Sequence, residues 1–455
     1  MTRSSAVVAV AALGAAIVIF AAPSVFPTGT TIYDPAKTWN GYTVLSPLGG
    51  DTAIVIDMNG KVVKRWEGYN SSAGGPVRVL PGGFVIGAAG ANAGKQESLA
   101  LIARDFAGKE LWRFDHNEQI TAPAGPTWAL RQHHDWQRDD FPAGYYAPGA
   151  TPVASPNAAT KTLVLTHTNH TRPAIAGETL LEDDRLIELG ADGKVTWEWV
   201  VGDHIEDFRF DNDARVAIRG GAAAGRGAFD WFHMNSATYV GPNHWFDQGD
   251  KRFAPENVVI SSREASLIAI VARDGKIVWQ IGPDYGATPE LRAIRQVIGQ
   301  HNAHFIPKGL PGAGNLMVFD NGGASVYGRP SATSLTGRGI YARATSRILE
   351  IDPVSLQLVW SYTAPAFFAT NISGAQRLLN GNTLITEGPD GRLFEVTKEG
   401  AIVWEYVYPV FGAGKARVTN SVYRAYRVPY TWIPQLAGPA ELAVTPPNAG
   451  DFRVK

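Results

Sequence analysis

Apolar and polar positions alternate with a period of two through most of this chain, and the alternation keeps returning to one pattern. Six times a short corner, usually glycine-containing, leads into an alternating strand that carries a tryptophan: "MNGKVVKRW", "FAGKELWRF", "ADGKVTWEW", "RDGKIVWQI", "PVSLQLVWSY" and "KEGAIVWEY", with indoles at Trp66, Trp112, Trp197, Trp279, Trp360 and Trp404. A glycine turn between alternating segments predicts a hairpin. A further strand precedes each corner, as in "TAIVID" and "LIAIVARD", and several have another hairpin upstream, as in "VRVLPGGFVIGA" and "AQRLLNGNTLITEG". Each unit is then about four antiparallel strands, which is a propeller blade. The predicted fold is all-β, a six-bladed β-propeller with few helices. A β-sandwich with chance turns does not explain a sixfold recurrence. The tryptophans are expected between neighbouring blades, with Trp197 and Trp279 mostly buried.

The N-terminus breaks the pattern. From Ala6 to Ala22 the chain carries no charge, with Arg3 before the run and Pro23 after it. This predicts a signal peptide or membrane anchor with a short linker over residues 1–35. The propeller follows over 36–430, and a Pro-rich tail occupies 431–455. Arg3 stays cytoplasmic in this reading and the rest is exported, either periplasmic or held at the outer face of the cytoplasmic membrane.

Composition mainly excludes. Lys plus Arg (41) balances Asp plus Glu (42), so no basic surface points to nucleic acid. The absence of cysteine rules out disulfides, thiolate metal sites and a cysteine nucleophile. "GANAGKQ" lacks a spacer residue and the hydroxyl of a phosphate-binding loop, so it reads as an ordinary loop.

What remains is histidine. The places are "RQHHDW" (His133, His134), "THTNH" (His167, His170), "DWFHMNS" (His233) and "GQHNAHF" (His301, His304). A propeller brings such distant places together, because its inner strands line one axis. On a regular strand only one of His133 and His134 faces that axis, His233 and Asn235 share a face, and His301 diverges from His304. Arg263 sits at a strand end after two serines. Asp320 and Asn321 read as a turn pair. Imidazoles could serve a metal, but no carboxylate with ligand spacing accompanies them, and a calcium ion on the axis is a further option. The metal-free alternative is imidazole nucleophilic catalysis, in which an arginine and an amide hold a charged group and a second histidine moves the proton.

Together, "DWFHMNSATYV", "NVVISSR", "GQHNAHF", "VFDNGG" and "GAQRLLNGNTLITEGPDGRLFEVTKEGAIVWEY" resemble the bacterial arylsulfate sulfotransferase family over roughly residues 40–430. The resemblance implies transfer of a sulfuryl group from a phenolic sulfate ester to a phenol, through a sulfohistidine, with no metal and without 3′-phosphoadenylyl sulfate. By position it implies His301 as nucleophile, His233, Asn235 and Arg263 on the sulfuryl oxygens, and His133 or His134 as a further catalytic group. Ser373, with Thr370 as second choice, fills a late hydroxyl position. Family members often carry an N-terminal β-domain associated with dimer contacts, and this chain enters the propeller almost at once. Two other readings stand beside this one: a metal-dependent esterase or lactonase on the same scaffold, and a non-enzymatic binding propeller of the cell envelope.

Overall fold

The computed structural model describes residues 27–92, 94–122, 125–150, 160–224, 228–323, 327, 343–413 and 418–445. The apolar run at 1–22 and the end of the tail lie outside them. Six antiparallel sheets follow one another along the chain. From the innermost strand outward, blade 1 is Val422–Val428, Tyr42–Pro47, Thr52–Ile56 and Val62–Glu67. Blade 2 runs from Arg78–Leu80 to Glu110–Phe114, blade 3 from Gln132–Arg138 to Val195–Val200 and blade 4 from Met234–Tyr239 to Ile277–Ile281. Blade 5 runs from His301–Phe305 to Leu358–Tyr362, and blade 6 from Gly374–Arg377 to Ile402–Val407. The predicted architecture is the observed one.

The ring is closed twice. The C-terminal strand Val422–Val428 is the inner strand of blade 1, while the N-terminal strand Gly29–Tyr33 adds a fifth strand to the outer edge of blade 6. Closure leaves few free edges, which protects an almost wholly antiparallel protein from edge-to-edge pairing. The insertion between blades 3 and 4 holds the one long helix among the described residues, Asn212–Ala224, whose Ala214, Ala217 and Ile218 pack into the core those blades share.

The repeated tryptophans do more than fill space. The indole N–H of Trp66 donates to the carbonyl of Asp105, Trp197 to Arg273, Trp279 to Pro353, Trp360 to Lys398 and Trp404 to Met58. Every acceptor lies in the outer hairpin turn of the next blade, and the step from Trp404 to Met58 carries the series from blade 6 back to blade 1. Each indole thus combines apolar contact with one satisfied donor, the arrangement a buried tryptophan needs. Trp279 is 7 % exposed, as expected. Trp197 is only half-buried: its ring packs against the core shared by blades 3 and 4, and the Arg273 guanidinium lies over it at 4.4 Å.

Candidate active site

The inner strands of blades 3, 4 and 5 are irregular near their starts. Pairing with the second strand slips between Gln132 and Trp136, between Met234 and Ser236, and between His301 and His304. His134, His233 and Asn302 adopt left-handed backbone, with φ of 53°, 51° and 53°, and Ile372 and Ser373 do so just before blade 6. Such residues cost about 1–3 kcal/mol each and persist where surrounding structure enforces them. Bulges of this kind re-aim side chains. Here they abolish the alternation on which the sequence reasoning relied.

The result is a cavity of about 460 Å³ at the end of the ring where these strands begin. His134, His233, Arg263, His301 and Thr370 line it, with Gln96, Gly323, Phe368, Asn371 and Ile372. Five side chains singled out from sequence therefore converge from blades 3 to 6.

His301 is the most tightly oriented of them. Its Nδ1 lies 2.8 Å from Asn321 Oδ1 and 3.0 Å from the Gly299 carbonyl. The Asn321 amide donates to the carbonyls of Ala369 and Ile372, so its oxygen must be the atom that faces the imidazole. The proton is thereby held on Nδ1, and Nε2 keeps its lone pair for the cavity. Burial, opposed by the Asn321 bond and reinforced by Arg263 and Arg424, holds the ring well below the usual histidine range, so it is neutral. The preceding Gln300 pins this strand to blade 4, donating to Ser261 Oγ and to the carbonyls of Ser262 and Leu267.

His233 is its electrostatic opposite. Burial would lower its pKa, but the Asp230 carboxylate, with Oδ2 at 2.5 Å from Nδ1, raises it above the ordinary value. The Arg263 backbone N–H donates to the His233 carbonyl at 3.1 Å, which sets the two side chains beside one another. The Arg263 guanidinium is 22 % exposed and pairs with Glu264. The His134 ring stands 4.8 Å from that of His233, and burial holds His134 well below the usual range. The cavity thus brings together two imidazoles that burial makes less basic, one that a carboxylate makes more basic, and a guanidinium.

Other expectations need correction. His133 does not line the cavity: it lies behind His134, with their Nδ1 atoms 2.8 Å apart. Asn235 does not share a face with His233, because the bulge between Met234 and Ser236 separates them; Asn235 is fully buried and donates to the Gln300 carbonyl at 2.6 Å. Ser373 is also buried away from the cavity, its hydroxyl donating to the Asn371 carbonyl and accepting from the Gly388 N–H, so Thr370 is the hydroxyl residue that lines the site. His304 points down the axis to Tyr145, 3.0 Å away, and burial pushes it down to about 4.

The sequence reading missed three residues of consequence. Asn321 was a turn residue and Gln96 belonged to a loop dismissed as phosphate-binding. Asp230 stands three residues before His233 in "DWFH", a spacing that could have suggested a carboxylate partner. Carboxylates also accompany the other histidines after all. His133, His167 and Asp184 form one buried group with donor atoms close enough for a metal ion, and Glu97, His167 and Glu182 form another. In the second group the charges are already met, Glu97 by Arg131 and Glu182 by Lys95.

With this geometry in hand, a family model described as Arylsulfotransferase (ASST) matches residues 153–408. The match takes in His233, Arg263, His301, Asn321 and Thr370 and leaves out Gln96, His133 and His134. No curated protein matches the chain. Solved structures similar to it include a protein of unknown function from Bacteroides caccae, 12 % identical, covering 86 % of this chain and 99 % of that one with a TM-score of 0.41. A streptogramin B lyase is 12 % identical, covering 87 % and 90 % with a TM-score of 0.34. A europium-containing methanol dehydrogenase is 13 % identical, covering 81 % and 68 % with a TM-score of 0.35.

Proposed function

Since the chain belongs to the arylsulfotransferase family, we propose that its central cavity moves a sulfuryl group from a phenolic sulfate ester to a phenol in two steps, through a covalent adduct on His301. The observation that carries this reading is the fixed tautomer of His301. A neutral imidazole with its proton tied to Asn321 and Gly299 offers one nucleophilic atom, Nε2, on the cavity side.

In the first step the Nε2 lone pair forms a bond to sulfur as the sulfur–oxygen bond to the donor breaks. The released electron pair goes to the phenolic oxygen, which takes a proton from the His233 imidazolium. Arg263 faces the charge that builds on the sulfuryl oxygens. The carbonyl oxygens of Asn321 and Gly299 stay on Nδ1–H and stabilise the positive ring that carries SO₃. In the second step the acceptor phenol gives its proton to the now neutral His233, its oxygen bonds to sulfur, and the nitrogen–sulfur bond breaks. No electrons are gained or lost overall, and both residues return to their starting states. We place this reaction outside the cytoplasmic membrane, on the strength of the apolar run at residues 6–22.

The adduct is the decisive test. The wild-type protein incubated with p-nitrophenyl sulfate and no acceptor, quenched at alkaline pH and mapped by mass, should show one added SO₃ on the peptide containing "GQHNAHF". SO₃ on a different histidine moves the nucleophile. No adduct, with turnover undiminished in His301→Asn, ends the covalent reading.

His233 also sets a pH dependence. Its raised pKa means that the acid form persists above pH 6.5 and is lost as pH rises further. Phenol release should therefore fall on the alkaline side. Asp230→Asn removes the charge that opposes burial, so the alkaline limb should move toward acid pH. An unmoved limb in that variant takes His233 out of the acid role.

A further inference from the structure

Behind the cavity, three side chains from blade 3 converge, and two of the atoms that face one another there are left without a hydrogen bond. His133 Nε2 lies 3.2 Å and His167 Nε2 3.7 Å from Asp184 Oδ1. All three residues are 2 % exposed or less. Neither His133 Nε2 nor Asp184 Oδ1 has a hydrogen-bond partner among the described residues, despite their proximity, because the ring nitrogen is not aimed along the contact. Two buried polar atoms left in this state are costly, and a native protein does not keep them without reason.

We infer that His133, His167 and Asp184 form a binding site for a first-row divalent transition cation such as Zn²⁺, distinct from the cavity where sulfuryl transfer is proposed.

The separations of 3.2 and 3.7 Å bracket the ligand-to-ligand edge of a tetrahedron built on bonds of roughly 2.0–2.1 Å. Two imidazoles and one carboxylate suit such an ion better than Ca²⁺ or Mg²⁺, which prefer oxygen shells. The atoms on the far side of each ligand are anchored, as they are around bound metals. His167 Nδ1 lies 3.1 Å from Glu97 Oε1, and Glu97 is held by Arg131 at 2.7 Å. Asp184 Oδ2 accepts the Met234 N–H at 2.7 Å. His133 Nδ1 meets His134 Nδ1 at 2.8 Å. No fourth imidazole or carboxylate joins the group among the described residues, so water completes the shell.

One feature of the arrangement must change on binding. The His133 and His167 rings lie face to face, 3.7 Å apart and 14° from parallel. An ion cannot lie in both ring planes at once, so one ring swings out of the stack. A cation bound to His133 Nε2 also leaves the proton of that ring on Nδ1, where it donates to His134 Nδ1. His134 then carries its own proton on Nε2, toward the cavity. The ion is a positioning device for His134 and does not touch the substrate, since none of its three ligands lines the cavity.

The test is binding, which does not depend on any sulfuryl transfer, so its failure and that of the proposed reaction are separately visible. Chelator-treated full-length protein titrated with Zn²⁺ should take up one ion per chain. Substituted with Co²⁺, it should give the visible absorption of a four-coordinate nitrogen and oxygen site. His167→Asn and Asp184→Asn should each bind Zn²⁺ at least about 100-fold more weakly while keeping the wild-type circular dichroism. If either variant fails to fold, the stoichiometry and Co²⁺ spectrum of the wild type decide alone. Wild type that binds no ion, shows a purely six-coordinate oxygen spectrum, or loses no affinity in the folded variants overturns the inference.

Discussion

His301→Asn should abolish release of the phenol from the donor as well as transfer to the acceptor, with turnover lower by about 10⁴-fold or more, the range seen when a nucleophile is removed from a covalent mechanism. Asparagine keeps polarity and approximate size, and its amide can still meet Asn321 and Gly299. The cavity should therefore keep its shape while losing the atom that carries the group. The check is steady-state p-nitrophenol release with and without a phenol acceptor, beside the melting temperature. A folded variant that still releases phenol without acceptor would mean that water or another side chain attacks sulfur directly.

Arg263→Lys should lower turnover by about 10²–10³, comparable to removing one oxyanion donor. The guanidinium is a planar fork whose donors can serve Glu264 and the sulfuryl oxygens at the same time, whereas an ammonium is a point charge on a flexible stem. Lysine would keep the net charge, so the experiment separates geometry from charge. Near-normal turnover with an unchanged melting temperature would remove Arg263 from the transfer step.

How much of this was legible beforehand differs sharply between fold and site. The blades were readable because strand alternation and corner glycines are local signals, and the six tryptophans repeat them in register. The acceptors that five of those indoles meet were not readable, since each lies in the following blade. At the site, His233, Arg263 and His301 could be found by resemblance and by the convergence that a propeller enforces. The exchange between Ser373 and Thr370, the burial of Asn235 and the retreat of His133 behind His134 all trace to one cause. Left-handed residues and bulges at the starts of the inner strands override a period of two, and no residue type announces them: His134 and His233 adopt φ values usual for glycine. Asn321 was hidden for another reason. Its turn-like appearance in "FDNGG" is genuine, and the bond to His301 exists only because two strands of blade 5 pair.

The double closure of the ring has a consequence for how this chain comes to be folded. Tyr42 pairs with Val428, Gly29 pairs with Val407, and Tyr33 bridges Val444, so each end of the chain is sewn into a sheet built mostly by the other. These are contacts of nearly maximal sequence separation, and folding slows as such contacts come to dominate. In a string of stacked repeats each unit leans only on its neighbours, so stability is nearly a sum and an end can fray alone. Here the last strand supplies the inner edge of the first blade, and the indole of Trp404 reaches across the same seam to Met58. Loss of Val422–Val428 would therefore strip the inner strand from the first blade, and loss of Gly29–Tyr33 the outer strand from the last, so the first and last blades depend on each other for their completeness.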